Sequence, residues 1–175
     1  MTFGTVLGYM SIAAETYRMA LTAVEPTSAR VLLTVGRRFD AATLGPVPEN
    51  VHVEPWIDQA RALEHGDLVV CHGGSGTTLA ALAAGVPLVM VPLFADQFEN
   101  ARRIAKTRAG RIVEPQITEA GVRSIDTAAA PKITKSIEDL LEDVTHRDRA
   151  RAIAAEMAAT ATVDEVRTRL PRGHR

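Results

Sequence analysis

The sequence predicts an α/β protein: a doubly wound parallel sheet of about six strands, with further helices at the C-terminal end. Three observations predict it. The runs Arg30 to Val35, Leu68 to Cys71 and Leu88 to Val91 are of strand length and largely apolar without alternation, as suits strands covered on both faces. Helical patterns fill the intervals between them. The unusual residues gather at the ends of the strand runs: Gly4-Thr5, Gly36-Arg37, Trp56-Ile57, His72 to Thr77, and Asp96-Gln97. In such sheets ligands bind outside the carboxyl ends of the strands.

In order, Thr2 to Thr5 reads as the tail of a strand entering a glycine turn. A domain rarely opens inside a strand, so the chain is expected to be a fragment of something longer. Ser11 is a candidate cap for a helix that places Ile12, Tyr17, Ala20, Leu21 and Val24 on one face, with Pro26 after its end. Gly36 closes the strand from Arg30 to Val35. Asp40 to Leu44 suits a short helical turn, and Val51 to Val53 a short strand. Asp58 can cap a helix through His65 that Gly66 ends. Leu68 to Cys71 leads to the glycine turn, Thr77 to Ala84 is helical, and Gly85 ends it. Leu88 to Val91 is a strand, Gln97 to Ala109 a helix ending at Gly110, and Arg111 to Val113 a strand. The remainder is expected to be all helical: Pro131 to Val144, Asp148 to Ala161, and Val163 to Leu170. This makes one Rossmann-like domain over residues 1–175.

Composition narrows the class. Of 175 residues, 46% are hydrophobic and 23% charged, a globular balance rather than a disordered one. The formal net charge is −1 and no basic stripe is present, which disfavours a nucleic-acid partner. The single cysteine, Cys71, excludes an internal disulfide and a cysteine-built zinc site. Leu79 to Ala95 is apolar but broken by Gly85, Pro87 and Pro92 and short for a membrane span. No basic segment precedes an apolar core at the start, so a cytoplasmic location is expected.

The stretch from His72 to Gln97 bears most of the chemistry. Gly73, Gly74 and Gly76 let a backbone approach a ligand closely. The N–H groups of Ser75, Gly76 and Thr77 would open the next helix, where unpaired donors and the dipole suit a phosphate. His72 at the strand tip can donate to a phosphate oxygen. The bland alternatives are a tight turn, a serine cap and a satisfied histidine; together at one junction these residues favour an anion site. Other motifs fail on the letters. A dinucleotide fingerprint would need glycine where Leu79 stands, and no Gly-Lys-Ser/Thr triplet exists. The tract His72-Gly73-Gly74 suits an esterase oxyanion loop, but no serine has the Gly-x-Ser-x-Gly frame.

Trp56-x-x-Gln59, Leu63, His72-Gly73-Gly74-Ser75-Gly76-Thr77, Gly85-Val86-Pro87, Pro92, Asp96-Gln97 and Asn100-Ala101 together resemble the donor-binding signature of family-one glycosyltransferases of the GT-B fold. The His-Gly-Gly-x-Gly-Thr form resembles the bacterial enzymes that decorate macrolides, aromatic polyketides and enediynes. Thr2 to Thr5 is similar to the start of the same C-terminal domain.

The resemblance implies roles. Trp56 would stack beside a nucleotide base, with Ile57 reading the base edge and Gln59 reaching the ribose; a core aromatic is the competing reading of Trp56. Thr5, His72, Gly74, Ser75, Gly76 and Thr77 would hold the diphosphate. His72 and Thr77 would stabilise the departing phosphate. Asp96 and Gln97 would bond sugar hydroxyls; Asp96 could equally be a helix cap. Plant members have a glutamate, gripping both ribose hydroxyls, where this chain has Ala80. That departure favours a dTDP-sugar over a UDP-sugar. No metal and no other cofactor is implied. The catalytic base of such enzymes sits in an N-terminal acceptor-binding domain, so no catalytic base is expected here and the chain alone is expected to be inactive. A naturally separate donor subunit and a non-catalytic nucleotide-binding domain remain as alternatives.

Overall fold

The computed structural model describes residues 1–114 and 127–160, with the backbone of 116–117 and 123–124. Five short strands form the sheet: β1 (Val31–Thr34), β2 (Val51–Glu54), β3 (Val69–Cys71), β4 (Leu88–Met90) and β5 (Gly110–Ile112). All their pairings are parallel: β1 with β2, β3 with β4, and β4 with β5. The two groups meet at Thr2, which bridges Thr34 on one side and Cys71 on the other. The spatial order is therefore β2, β1, Thr2, β3, β4, β5. Where the sequence predicts a first strand, the structure has this single doubly bridged residue.

Side chains alternate across the sheet, and the two faces fill different cores. Leu33, Val35, Val70, Val89 and Val91 pack with α1 (Ala13–Val24) and α5 (Ala130–Glu142). Val69, Cys71, Leu88 and Met90 face the other way, onto α2 (Gln59–Leu63), α3 (Ser75–Ala83), α4 (Gln97–Thr107) and α6 (Val144–Ala158). Burial of both faces explains why the strands lack polar alternation. In the first core Tyr17 is fully enclosed, donates its hydroxyl to the Val35 carbonyl at 2.7 Å, and has its phenol pushed up to about 12 by burial.

Local signals set most boundaries. Asp40 accepts from Ala42 N–H and starts the short helical turn Ala41–Leu44, and Asp58 caps α2 through Ala60 and Arg61. Others differ from expectation. Ser11 does not cap α1, whose N-cap is Ile12 with no side-chain bond, after a 3₁₀ turn at Leu7–Tyr9. α4 ends at Arg108, which takes the left-handed conformation itself at φ 64°, so Gly110 is free to enter β5. Gly110 is needed there, because a Cβ would lie 2.4 Å from the Leu88 carbonyl oxygen. After β5 the chain is not all helical: β6 (Gln116–Ile117) pairs antiparallel with β7 (Arg123–Ser124). The segment Val163 to Leu170 lies outside the described residues.

The Met1 amine is enclosed within the sheet, although its side chain is only partly covered, and donates to the Leu32 carbonyl at 2.7 Å. Burial lowers its pKa from 8.0 to about 6, partly opposed by the Cys71 sulfur. Unfolding lets it bind a proton more readily, so the unfolded state holds more protons between those two values. Stability is expected to rise by about 2 kcal/mol from pH 6 to pH 8. Urea titrations at both pH values check this, and a chain acetylated at Met1 should lose that part of the slope. A slope unaffected by acetylation would exclude the amine as its source. Gly110→Ala is expected to cost about 1–3 kcal/mol through overpacking; an unchanged urea midpoint would contradict the close approach.

Candidate functional site

The connection from β3 to α3 is His72-Gly73-Gly74. Gly73 adopts φ +84°, and a Cβ there would meet the Gln97 carbonyl oxygen at 3.0 Å, so the turn packs directly on the start of α4. Gly74 is an extended N-cap without a side-chain bond. The first intrahelical bond runs from Thr78 N–H to the Gly74 carbonyl at 3.0 Å. Ahead of it, the N–H groups of Ser75, Gly76 and Thr77 are the open donors at the positive end of the helix. Nothing lies within 4 Å of the Cβ position of Gly76, which leaves space for a ligand against the backbone.

His72 fits only because two residues lack side chains. A Cβ on Gly4 would lie 2.8 Å from its Nε2, and one on Gly74 only 2.4 Å. Its Nδ1 is buried without a hydrogen-bond partner. Burial lowers its pKa below 6.5, while the Thr2 backbone and the Asp96 charge pull upward. The ring is therefore neutral at pH 7, and an anion placed beside it would favour its proton.

Asp96 follows Ala95, which takes φ 56°, a left-handed conformation that costs a non-glycine residue about 1–2 kcal/mol. Asp96 occupies the N-cap position of α4, yet its carboxylate makes no cap bond. It accepts instead from Ser75 Oγ at 3.0 Å and from Asn100 Nδ2 at 3.0 Å. These two bonds, Ser75 first, hold its carboxyl below the usual range. Exposed and ionised, it is an acceptor for hydroxyl groups. Gln97 is 3% exposed and its Oε1 accepts from the N–H groups of Leu93 and Phe94 at 2.8 and 3.0 Å. Only its amide nitrogen is left for a ligand.

Trp56 lies beyond β2 and is 55% exposed, which excludes the core-aromatic reading. The Arg37 guanidinium carbon stands 4.8 Å from its ring centroid, a cation–π contact. Ile57 and Gln59 are half-buried beside it, and Thr5 is exposed on the turn after Gly4. Thr5, Trp56, Ile57, Gln59, His72, Gly74, Ser75, Gly76, Thr77, Asp96 and Gln97 all line one open cleft. Its volume is about 1370 Å³, and its lining extends to Leu68, Val70 and Leu141. The carboxyl ends of the strands thus bring together every residue the sequence singles out.

Two residues at the cleft have contacts that sequence reasoning left without a role. Arg37, directly after the glycine ending β1, meets Trp56; its position at a strand end was the available signal. Asn100, one turn after Asp96, also donates to the Gly73 carbonyl at 3.0 Å. Among the described residues no group of three or more His, Cys, Asp or Glu could hold a metal ion, and no helix is long and apolar enough to cross a membrane.

A doubly wound sheet with a glycine turn, an exposed tryptophan and an ionised carboxylate at its carboxyl edge is the donor-side architecture of GT-B glycosyltransferases. The comparisons agree. Residues 18–172 match the family described as erythromycin biosynthesis protein CIII-like, C-terminal domain, and the chain belongs to that family. It is 31% identical over 148 residues to NDP-glycosyltransferase YjiC of Bacillus licheniformis, covering 83% of this chain and 37% of that protein. It is 37% identical over 142 residues to the elloramycin glycosyltransferase ElmGT of Streptomyces olivaceus, covering 81% and 33%. The calicheamicin glycosyltransferase CalG4 superposes with a TM-score of 0.80 at 28% identity, over 99% of this chain and 42% of that one. Spinosyn rhamnosyltransferase SpnG complexed with thymidine diphosphate gives 0.76 at 26% identity, over 95% and 44%. The chain spans little more than a third of the length of the curated relatives it matches, 37% and 38% of the first two.

Gly74→Ala tests whether His72 matters by position. The new methyl must drive the ring from its seat, so the variant is expected to lose diphosphate affinity about as much as His72→Ala while melting within a few degrees of the parent. Calorimetry with a nucleoside diphosphate measures the affinity. Undiminished binding by Gly74→Ala would show that the wedged ring contributes nothing.

Proposed function

We propose that this chain is the donor-binding half of an inverting glycosyltransferase that moves a hexose or deoxyhexose from a nucleoside diphosphate to a hydroxyl of a natural product. The single observation that supports it most is the convergence on one cleft of three chemistries. An exposed aromatic suits a base, a histidine beside an uncapped helix N-terminus suits a diphosphate, and an ionised carboxylate suits sugar hydroxyls.

In this reading Trp56, Ile57 and Gln59 hold the nucleoside. Thr5, His72, Gly74, Ser75, Gly76 and Thr77 hold the diphosphate, with Ser75 contributing its N–H because its hydroxyl is bonded to Asp96. Asp96 and the Gln97 amide nitrogen hold the sugar. The acceptor hydroxyl is deprotonated by a base on an N-terminal acceptor-binding domain, the partner this reading requires, and attacks the anomeric carbon. The bond to the diphosphate breaks with inversion. Charge grows on the departing phosphate, where His72, Thr77 and the first N–H groups of α3 are preorganised to meet it. No metal is needed for that stabilisation. The chain by itself binds donor without turning it over, and a cytoplasmic location completes the reading.

Ala80, on the first turns of α3, offers no hydrogen bond to a ribose. Thymidine diphosphate as the ligand of SpnG supports the same preference here. Calorimetry against dTDP, UDP and their sugars is expected to give dTDP at least the affinity of UDP. His72→Ala should abolish diphosphate binding, and Asp96→Ala should remove only the extra affinity that the sugar adds. UDP binding tenfold tighter, a difference of about 1.4 kcal/mol, would overturn the dTDP preference. Absence of any diphosphate binding would overturn the function.

A further inference from the structure

We infer that Asn100 is a positioning residue that clamps the glycine turn to the Asp96 carboxylate, so that the diphosphate and sugar ends of the cleft are set as one unit. The functional meaning of the clamp rests on the reading of Asp96 as a sugar ligand; the clamp itself rests on geometry.

Asn100 lies on the first turn of α4, and its own N–H donates to the Asp96 carbonyl at 3.0 Å. Its Nδ2 reaches three acceptors: the Gly73 carbonyl at 3.0 Å, Ser75 Oγ at 3.2 Å and Asp96 Oδ2 at 3.0 Å. An amide group has two hydrogens, so they are shared among three acceptors that come from the turn, from the start of α3 and from the start of α4. Ser75 Oγ closes the ring by donating to the same Asp96 Oδ2 at 3.0 Å. One carboxylate oxygen thus takes both side-chain donors, and Oδ1 is the oxygen those donors leave for a ligand.

This arrangement does three things at once. It anchors Gly73 in its left-handed conformation, because the carbonyl of that residue is tied to α4. It uses up the Ser75 hydroxyl, which cannot then follow a phosphate. It holds the Asp96 side chain in one orientation, so that a sugar hydroxyl meets an acceptor already positioned. Asn100 touches none of the reacting atoms in this scheme; it acts through Asp96 and Gly73.

The test has two arms on the chain as it stands. The first needs no ligand. The Asp96 carboxyl carbon is titrated by nuclear magnetic resonance in the parent, Asn100→Ala and Ser75→Ala. Both substitutions are expected to raise its pKa, since each deletes a donor to the charged form. An Asp96 titration unmoved by Asn100→Ala overturns the clamp, even if the chain binds a nucleotide sugar as proposed. The second arm is a calorimetric cycle with dTDP and a dTDP-hexose. Asn100→Ala should cut the extra affinity given by the sugar about tenfold in the parent, and by less than twofold in an Asp96→Ala background. An extra affinity from the sugar left undiminished by Asn100→Ala in the parent would show that Asn100 does not act through Asp96 and overturn the proposal. Ser75→Ala, which leaves α4 intact, gives the same readout should Asn100→Ala fold poorly. If the parent gains nothing from the sugar, the functional reading fails while the titration still decides the clamp.

Discussion

The two halves of the sheet are joined by very little backbone. Thr2 N–H donates to the Val70 carbonyl at 2.9 Å, and Thr34 N–H donates to the Met1 carbonyl at 3.0 Å. Everything about the cleft depends on that seam. On one side of it stand β1 and β2, which present Arg37 and Trp56. On the other stand β3, β4 and β5, which present His72, the α3 terminus and Asp96. Phe3, buried just beyond the seam, packs edge-on against Tyr17 with ring centroids 6.1 Å apart. Tyr17 in turn bonds the end of β1. Apolar packing on α1 and α5 therefore holds the two halves in register where few ladder bonds do so.

Much of this was legible from the residues because the signals were local. Parallel strands buried on both faces must be apolar throughout, and β3 and β4 are. The turn between β3 and α3 was legible for the same reason: a histidine followed by glycines after an apolar run marks a strand-to-helix junction. What escaped needed knowledge of neighbours. Gly110 looks like a helix stop, but it is glycine because the Leu88 carbonyl comes too close for a Cβ. Arg108 supplied the left-handed stop instead, which residue preference disfavours. The β6–β7 pair has two residues per strand, too few for any periodicity to register. Ser11 had the chemistry of a cap, but the 3₁₀ turn before it sets where α1 begins.

At the site, residue type was a better guide to location than to which atom does what. Every residue given a donor-binding role in the sequence lines the cleft, yet Ser75 spends its hydroxyl on Asp96 and Gln97 spends its carbonyl on the turn after β4. The two titratable groups are set by opposite means. His72 is kept neutral by burial between two glycines, and Asp96, exposed and charged, has its pKa lowered further by two donors. An empty cleft thus avoids burying a cation beside the turn and still offers an anion to hydroxyls. Arg37 and Asn100 show the limit of motif reading, since each draws its meaning from a partner on another element.

Cys71 has a practical bearing of another kind. It is the only cysteine, fully enclosed between β4 and the helices, and burial pushes its thiol up to about 11. Such a sulfur is silent toward alkylating reagents while the fold is intact. A cysteine engineered at the exposed end of α3 would then be the sole labelling handle, and a fluorophore there would report occupancy of the cleft without first mutating the native thiol.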